Sequence, residues 1–291
     1  MTDEDPCTAG SPAAFDAYAY PPVWRLVTGG LVGVSRASLL GILAWVLLAP
    51  ETVPLFPLLR PVIVLWALPG VAAWLLRRAC AAGVTCRGGV LLVRTRDRTV
   101  EVPCAAVARV APWMLPLPGP GLSLWLRSGR RLGHGLAVTD PGPLLAVLAD
   151  AGVESARGVL AHPAVAWARA RAAARRERWY HRLGKFGGFA LLPAALVFNA
   201  HQHIAFGGPL GQYYLEGPAA YLRTFAIYWA FAATYLLLWA ALWRAAGEAV
   251  AGLAAAVAPS RAARVRRAVE IGCRLGYYVG VPVIVLLPFL R

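Results

Sequence analysis

The sequence predicts a mainly α-helical membrane protein, with about five transmembrane helices and a small cytoplasmic antiparallel β-barrel domain closed by a helix. Hydrophobic residues make up 59% of the 291 residues and charged residues only 15%, whereas soluble domains average about 25% charged residues. Several apolar stretches reach the roughly 20 residues that cross a ~30 Å hydrocarbon core. One internal segment instead alternates short valine-rich runs with turn residues, which is typical of β-strands.

The chain is strongly basic, with 29 Lys and Arg residues against 14 Asp and Glu residues. Membrane proteins collect Lys and Arg in cytoplasmic loops, and here the basic residues flank the apolar stretches. No nucleic-acid recognition motif accompanies them, so we expect no nucleic-acid partner. Arginine set among abundant alanine, glycine and proline is typical of a GC-rich bacterial genome, which favours the bacterial cytoplasmic membrane as the location.

The first elements are an arm and a helical hairpin. Residues 1–22 are polar and rich in proline, which predicts a mobile N-terminal arm. Residues 23–78 form the hairpin, with spans over residues 26–49 and 55–76. The acidic N-terminus lacks the basic region of a signal peptide, so we expect the first span to be retained as an anchor.

The β domain is predicted over residues 83–152. Its strands are expected at residues 84–87, 90–94, 99–102, 122–127 and 131–136. An amphipathic helix over residues 144–151 closes it, with Asp140 as the N-cap and proline in its first turn.

The remaining segments alternate between the membrane and the cytoplasm. Residues 163–185 read as a basic juxtamembrane helix, and residues 186–244 as spans three and four joined by an outer glycine-rich loop. Residues 245–274 are expected to be a cytoplasmic helical segment, and residues 275–291 a fifth span. Arginine placement then puts the N-terminus and the β domain in the cytoplasm and the C-terminus outside.

Within the β domain, three stretches carry a family pattern: Gly89–Arg94, Val102–Arg109 and Leu122–Arg127, the last followed by Ser128–Arg131. Together with the closing helix they resemble the bacterial pleckstrin-homology-like (PH-like) domains that are fused to membrane hairpins. The resemblance covers about a quarter of the chain. It implies a barrel capped by a helix that binds lipids or proteins, with no catalytic residues to transfer.

Polar residues at the outer end of span three are candidates for a metal site. His201, His203 and Glu216 could bind a transition metal, within a polar cluster that also contains Asn199, Gln202, Gln212, Tyr213 and Tyr214. Residues two apart on a helix point about 200° away from each other. Both imidazoles can therefore reach one ion only if the helix ends or unwinds there. The competing interpretation is that they hydrogen-bond to backbone and lipid headgroups at the interface.

The basic helix supplies a second candidate site. Its arginines, at helical spacing, are expected to contact anionic headgroups: Arg169, Arg171, Arg175, Arg178 and Arg182. Their attraction to the membrane surface needs no specific ligand, and a defined headgroup site is the sharper alternative.

No catalytic or nucleotide-binding motif occurs in the sequence. The leading hypothesis is therefore a non-enzymatic accessory, assembly or scaffolding subunit of a larger membrane complex, with no cofactor. Its partners would be anionic lipids and other membrane subunits, or a second copy of the chain. The alternative is a membrane redox protein that binds a metal or cofactor through His201 and His203. A lipid-binding protein is the weaker alternative.

Overall fold

The computed structural model describes residues 13–51, 53–174 and 179–286, and it is mostly helical. Among these residues, four helices are long and apolar enough to cross a membrane: Pro22–Leu48, Leu55–Ala79, Gly184–Phe206 and Pro218–Val257. They correspond to the first four predicted spans. The fifth predicted span is not among them, because the described part of residues 275–291 is divided between two helices that meet at Val279. Residues 287–291 lie outside the described residues.

The helices are numbered here in chain order. They are α1 (Pro22–Leu48), α2 (Leu55–Pro61), α3 (Leu68–Ala79), α4 (Pro141–Asp150), α5 (Glu154–Leu160), α6 (Pro163–Ala172), α7 (Trp179–Leu183), α8 (Leu191–Phe206), α9 (Gly211–Glu216), α10 (Pro218–Val257), α11 (Ala262–Tyr278) and α12 (Gly280–Leu286). Short π-helical segments join α2 to α3 and continue α7 toward α8.

Seven antiparallel strands form one curled half-barrel. They are β1 (Ala13–Tyr20), β2 (Ala81–Arg87), β3 (Val90–Arg94), β4 (Thr99–Pro103), β5 (Val107–Pro112), β6 (Gly121–Leu126) and β7 (Gly135–Val138). Their order across the sheet is β4-β3-β2-β1-β7-β6-β5. The pair of spans α1 to α3 is thus inserted between β1 and β2, two neighbouring strands in the middle of the sheet.

The prediction of a mobile N-terminal arm over residues 1–22 is wrong for residues 13–20, which form a strand. Ala13–Tyr20 form the central strand β1, which pairs with β2 from Ala13↔Cys86 to Tyr18↔Ala81 and with β7 from Ala17↔Val138 to Tyr20↔Gly135. Phe15, Ala17 and Ala19 face the core of the half-barrel. Residues 1–12 of the predicted arm lie outside the described residues.

Two further strand assignments differ from the prediction. β5 was not among the predicted strands, and it directly follows a helical turn of three residues, Cys104–Ala106. A shift of register between Val107 and Arg109 interrupts the alternation of β5, which hides the strand from its sequence pattern. β7 begins four residues later than expected, because Arg131 joins Trp125 only by an isolated bridge.

The chain divides into two compact units. The first comprises the residues up to Val32, Ala72–Ala172 and Ala255–Ala263. The inward sides of its strands bury Val84, Leu91, Leu122, Leu124 and Leu136. Helix α4 closes this core with Leu144, Leu145 and Leu148 fully buried. As predicted, Asp140 is its N-cap, and Oδ1 accepts a hydrogen bond of 2.9 Å from the backbone N–H of Gly142.

The second unit comprises Gly33–Val71, Ala173–Ala254 and the residues from Arg264 onward. Pro69 cannot donate a hydrogen bond to the carbonyl of Leu65 within its helix. The Ser38 hydroxyl donates to that carbonyl instead at 3.0 Å, and Ser35 donates to the carbonyl of Trp66 at 2.9 Å. These bonds join the two helices of the hairpin, since a freed carbonyl in an apolar segment needs a donor.

Glycines allow α10 and α11 to pack closely in the second unit. A Cβ atom at Gly276 would lie 2.9 Å from Cε2 of Trp243, and one at Gly247 would lie 2.9 Å from Cγ1 of Val269. The helix α10 has 40 residues, about 60 Å at 1.5 Å per residue. The predicted boundary after residue 244 falls inside α10, because the first part of the expected cytoplasmic helical segment continues that helix to Val257.

Candidate functional site

The junction between the first two spans and the half-barrel is short on both sides. β1 ends at Tyr20 and α1 begins at Pro22, while α3 ends at Ala79 and β2 begins at Ala81. The backbone N–H of Ala19 donates to the carbonyl of Cys80 at 2.9 Å, which closes the base of the hairpin. Each connection between a span and a strand is therefore one residue long.

A cation–π contact lies beside this junction. The guanidinium of Arg25, in the first turn of α1, lies 3.9 Å from the ring centroid of Trp113. The Trp113 indole N–H donates to Oγ of Ser123 at 3.0 Å, and Nη2 of Arg131 donates to the same hydroxyl at 2.7 Å. Two arginines are thus joined through one buried tryptophan and one buried serine.

Two glycines make room for the Trp113 ring. A Cβ atom at Gly121 would lie 2.8 Å from Cζ3 of Trp113, and one at Gly135 would lie 2.7 Å from Cζ2. The ring also packs with Tyr20 and Ala137. The strands β6 and β7 therefore hold Trp113 in place, and with it the start of the segment between β5 and β6.

Arginines also occupy the outer side of β5 and β6 and the turns near them. The guanidinium groups of Arg109 and Arg131 lie 5.6 Å and 5.5 Å from the ring centroid of Trp125. Burial and then the charge of Arg98 lower the pKa of His134 below its usual value near 6.5. Arg98 therefore lies close enough to His134 to act on it electrostatically.

The predicted metal ligands are not brought together. The helix α8 stays regular through Phe206, so His201 and His203 point to different sides. The ring of His201 packs against Phe206 and Tyr228, and Nδ1 of His203 lies 2.9 Å from the carbonyl oxygen of Asn199. Within the described residues, no group of three or more His, Cys, Asp and Glu side chains is placed to hold a metal ion.

Other members of the predicted outer cluster form a clamp between α8 and α9. The fully buried Gln202 donates to Oε1 of Gln212 at 2.9 Å, and its own Oε1 accepts from the Gln212 backbone N–H at 3.3 Å. The Gln212 amide also donates to Glu216 at 2.8 Å and to Thr224 at 3.0 Å. Tyr213 and Tyr214 remain exposed. These contacts give Gln202, Gln212 and Glu216 a structural explanation.

The predicted basic helix is shorter than residues 163–185. The helix α6 ends at Ala172, and its Val165 and Ala168 are fully buried in the first unit. Arg169 is exposed beside Gly142, and the Arg171 guanidinium lies 5.1 Å from the Trp167 ring centroid. Arg175 and Arg178 lie outside the described residues, as does the side chain of Arg182. The first half of the segment therefore packs on the protein, because its alanines allow close contact with α4 and α5.

The sequence interpretation missed an ion-pair network between α10 and α11. The Arg266 side chain donates to both carboxylate oxygens of Glu248, at 2.8 Å and 3.0 Å, and to Oε1 of Glu270 at 3.0 Å. Arg244 lies 3.4 Å from the same Glu248 carboxylate. Because Arg266 and Glu270 are four residues apart on α11, part of the network was visible in the sequence.

The chain matches no model of a protein family, no curated protein and no solved structure. The geometry of its own residues is therefore the basis for assigning it a function.

Proposed function

We propose that this chain is a non-enzymatic accessory or scaffolding subunit of a bacterial inner-membrane complex, which presents a PH-like module at the cytoplasmic face. The observation that carries the proposal is the insertion of the first two spans between β1 and β2. A domain attached in this way has two short covalent links to the membrane rather than one flexible tether. Such an attachment keeps the module close to the membrane surface, where a neighbouring subunit can bind it.

The architecture of the half-barrel supports the PH-like assignment. Its strands order as β4-β3-β2-β1-β7-β6-β5, and the helix α4 follows the last strand and covers the core. A fold by itself does not assign a ligand. The sequence resemblance to PH-like domains is the ground for proposing a binding module rather than a catalytic domain.

The two edge strands of the sheet, β5 and β4, differ in how far other parts of the chain cover them. On β5, the N–H of Val110 donates to Oγ of Ser155 in α5 at 3.1 Å, so the chain covers part of that edge itself. In the described part of the chain, no strand pairs with the outer side of β4. An added strand at a free edge is a common mode of peptide recognition, which makes β4 the edge suited to a partner.

Co-purification tests the proposal. The full chain, tagged and expressed from its own gene, is extracted in mild detergent and its companions are quantified by mass spectrometry. We expect one membrane polypeptide at fixed stoichiometry. Flexible six-residue insertions after Tyr20 and after Cys80 should lower its recovery several-fold, because they loosen the module from the spans.

The matched control places the same insertion between Gly88 and Gly89, in the exposed turn from β2 to β3. It changes loop length without touching the junction, so recovery of the partner should stay at the wild-type level. A chain that purifies without any stoichiometric companion would refute the scaffold proposal. Metal analysis of the same sample tests the redox alternative, which requires bound metal that is lost in His201→Ala.

A further inference from the structure

The segment between β5 and β6, Trp113–Pro120, has an unusual surface. It reads Trp-Met-Leu-Pro-Leu-Pro-Gly-Pro and contains no charged residue. Met114 is 82% exposed and Leu115 is 71% exposed, although the half-barrel beside them buries most of its large aliphatic side chains. Two adjacent apolar side chains at the tip of a proline-rich loop indicate a surface that is covered by something outside the described chain.

The base of this loop is fixed. Trp113 is buried over Gly121 and Gly135 and is hydrogen-bonded to Ser123, so the chain leaves β5 in a defined direction. Three prolines then restrict the backbone of the loop. The exposed pair is therefore presented by a rigid support.

The loop lies against the start of the first span. Leu117 Cβ is 3.6 Å from the position that a Cβ atom would take at Gly29, so α1 can approach the loop closely there. One turn earlier, Arg25 covers the Trp113 ring. The surrounding apolar side chains of α1 are themselves exposed, namely Val23, Trp24, Leu26 and Val27.

The length of α1 places this contact near the edge of the hydrocarbon core. The helix has 27 residues and ends at Leu48. A ~30 Å core needs about 20 residues at 1.5 Å each, and counting back that number from Leu48 reaches Gly29. The loop thus meets α1 at the depth where acyl chains give way to headgroups.

We propose that Trp113–Pro120 is a membrane foot, which inserts Met114 and Leu115 into the leaflet around the start of α1. Arg25 and Arg131 flank the foot at headgroup depth. No ion pair in the described residues involves either of them, and a phospholipid phosphate would supply the anion beside their contacts with Trp113 and Ser123. The foot is thus a third attachment of the half-barrel to the membrane, beside the two connections to the spans.

Lipid is the occupant that the surroundings favour. The exposed apolar surface of the loop continues that of α1, and its cationic border complements the phosphates of a membrane surface. This inference rests on the membrane placement in the proposed function. Crosslinking at a position within α1 separates failure of the foot from failure of the membrane placement.

Site-specific photocrosslinking in native membranes tests the foot. In two separate variants, the full chain carries p-benzoyl-phenylalanine in place of Leu115 or in place of Met114. Irradiation should yield adducts with the mass of phospholipid. The matched control is Arg87, which is exposed at the far end of β2, about 20 Å along the strand from the span junction. We expect at least about a tenfold excess of lipid adduct at the loop over Arg87, in line with the partition of one leucine side chain into an apolar medium.

A third position, Leu47 near the other end of α1, reports on membrane insertion itself. Lipid adducts at both Leu47 and the loop positions support the foot. Lipid adducts at Leu47 with none at Leu115 or Met114 overturn the foot and leave the proposed function standing. A protein adduct at the loop also overturns it, because the surface is then an interface with a subunit. If Leu47 gives no lipid adduct, the membrane placement fails and both proposals fall.

Discussion

Replacing Arg266 with glutamine should destabilise the protein more than any other single arginine change between α10 and α11. The side chain of Arg266 is only 7% exposed, whereas those of Glu248 and Glu270 are 27% and 31% exposed. The substitution removes three charge-assisted hydrogen bonds and leaves two carboxylates without their shared cation.

The magnitude follows from the burial. Removing one partner of a buried ion pair costs about 3–5 kcal/mol. Water still reaches part of both carboxylates and offsets some of this loss, so we expect the free energy of unfolding to fall by about 2–3 kcal/mol. The double variant Arg266→Gln/Glu248→Gln should lose less than the sum of its single variants, because one unpaired carboxylate has been removed.

Reversible unfolding of the full chain in mixed detergent micelles measures these changes. The matched control is Arg244→Gln, since Arg244 pairs with the same Glu248 at 3.4 Å but is 65% exposed. Its loss should stay under about 0.5 kcal/mol. If Arg266→Gln and Arg244→Gln shift stability equally, the assignment of Arg266 as the centre of a buried network is wrong.

Two further predictions concern other contacts. Gln212→Ala should lower the free energy of unfolding by about 1–3 kcal/mol, because it leaves the amide of the fully buried Gln202 without its acceptor. The control is Tyr214→Ala at an exposed neighbouring residue, which should change the free energy of unfolding by no more than about 0.5 kcal/mol. Equal losses in the two variants would contradict the clamp. Burial, together with the nearby Cys86 thiol at 3.9 Å, raises the pKa of Cys104 to about 11. Its stabilising contribution is complete below the unfolded value near 9 and is lost as the pH rises toward 11, so pH titration of unfolding should show a steeper alkaline decline in the wild type than in Cys104→Ala.

The sequence by itself determined the features that depend on composition and local order. Uninterrupted apolar stretches identify the first four spans, because their length matches a bilayer wherever the rest of the chain lies. Strands β2, β3 and β4 are neighbours in sequence and are joined by short turns, so their pattern was sufficient. The N-cap Asp140 was visible because a cap involves only adjacent residues.

The tertiary structure decided the features that join distant residues. The partners of Ala13–Tyr20 in β2 and β7 lie beyond two spans of chain, so the short local pattern of this strand did not reveal its pairing. The sequence left open whether the helix ends early enough for His201 and His203 to reach one ion, and the regular turn of α8 through Phe206 directs them to different sides. Arg25 and Trp113 are 88 positions apart, and no local sequence pattern in either segment indicates that they are in contact. The two side chains meet because β1 pairs with β7 and β7 with β6, which brings the segment between β5 and β6 against the helix that follows β1.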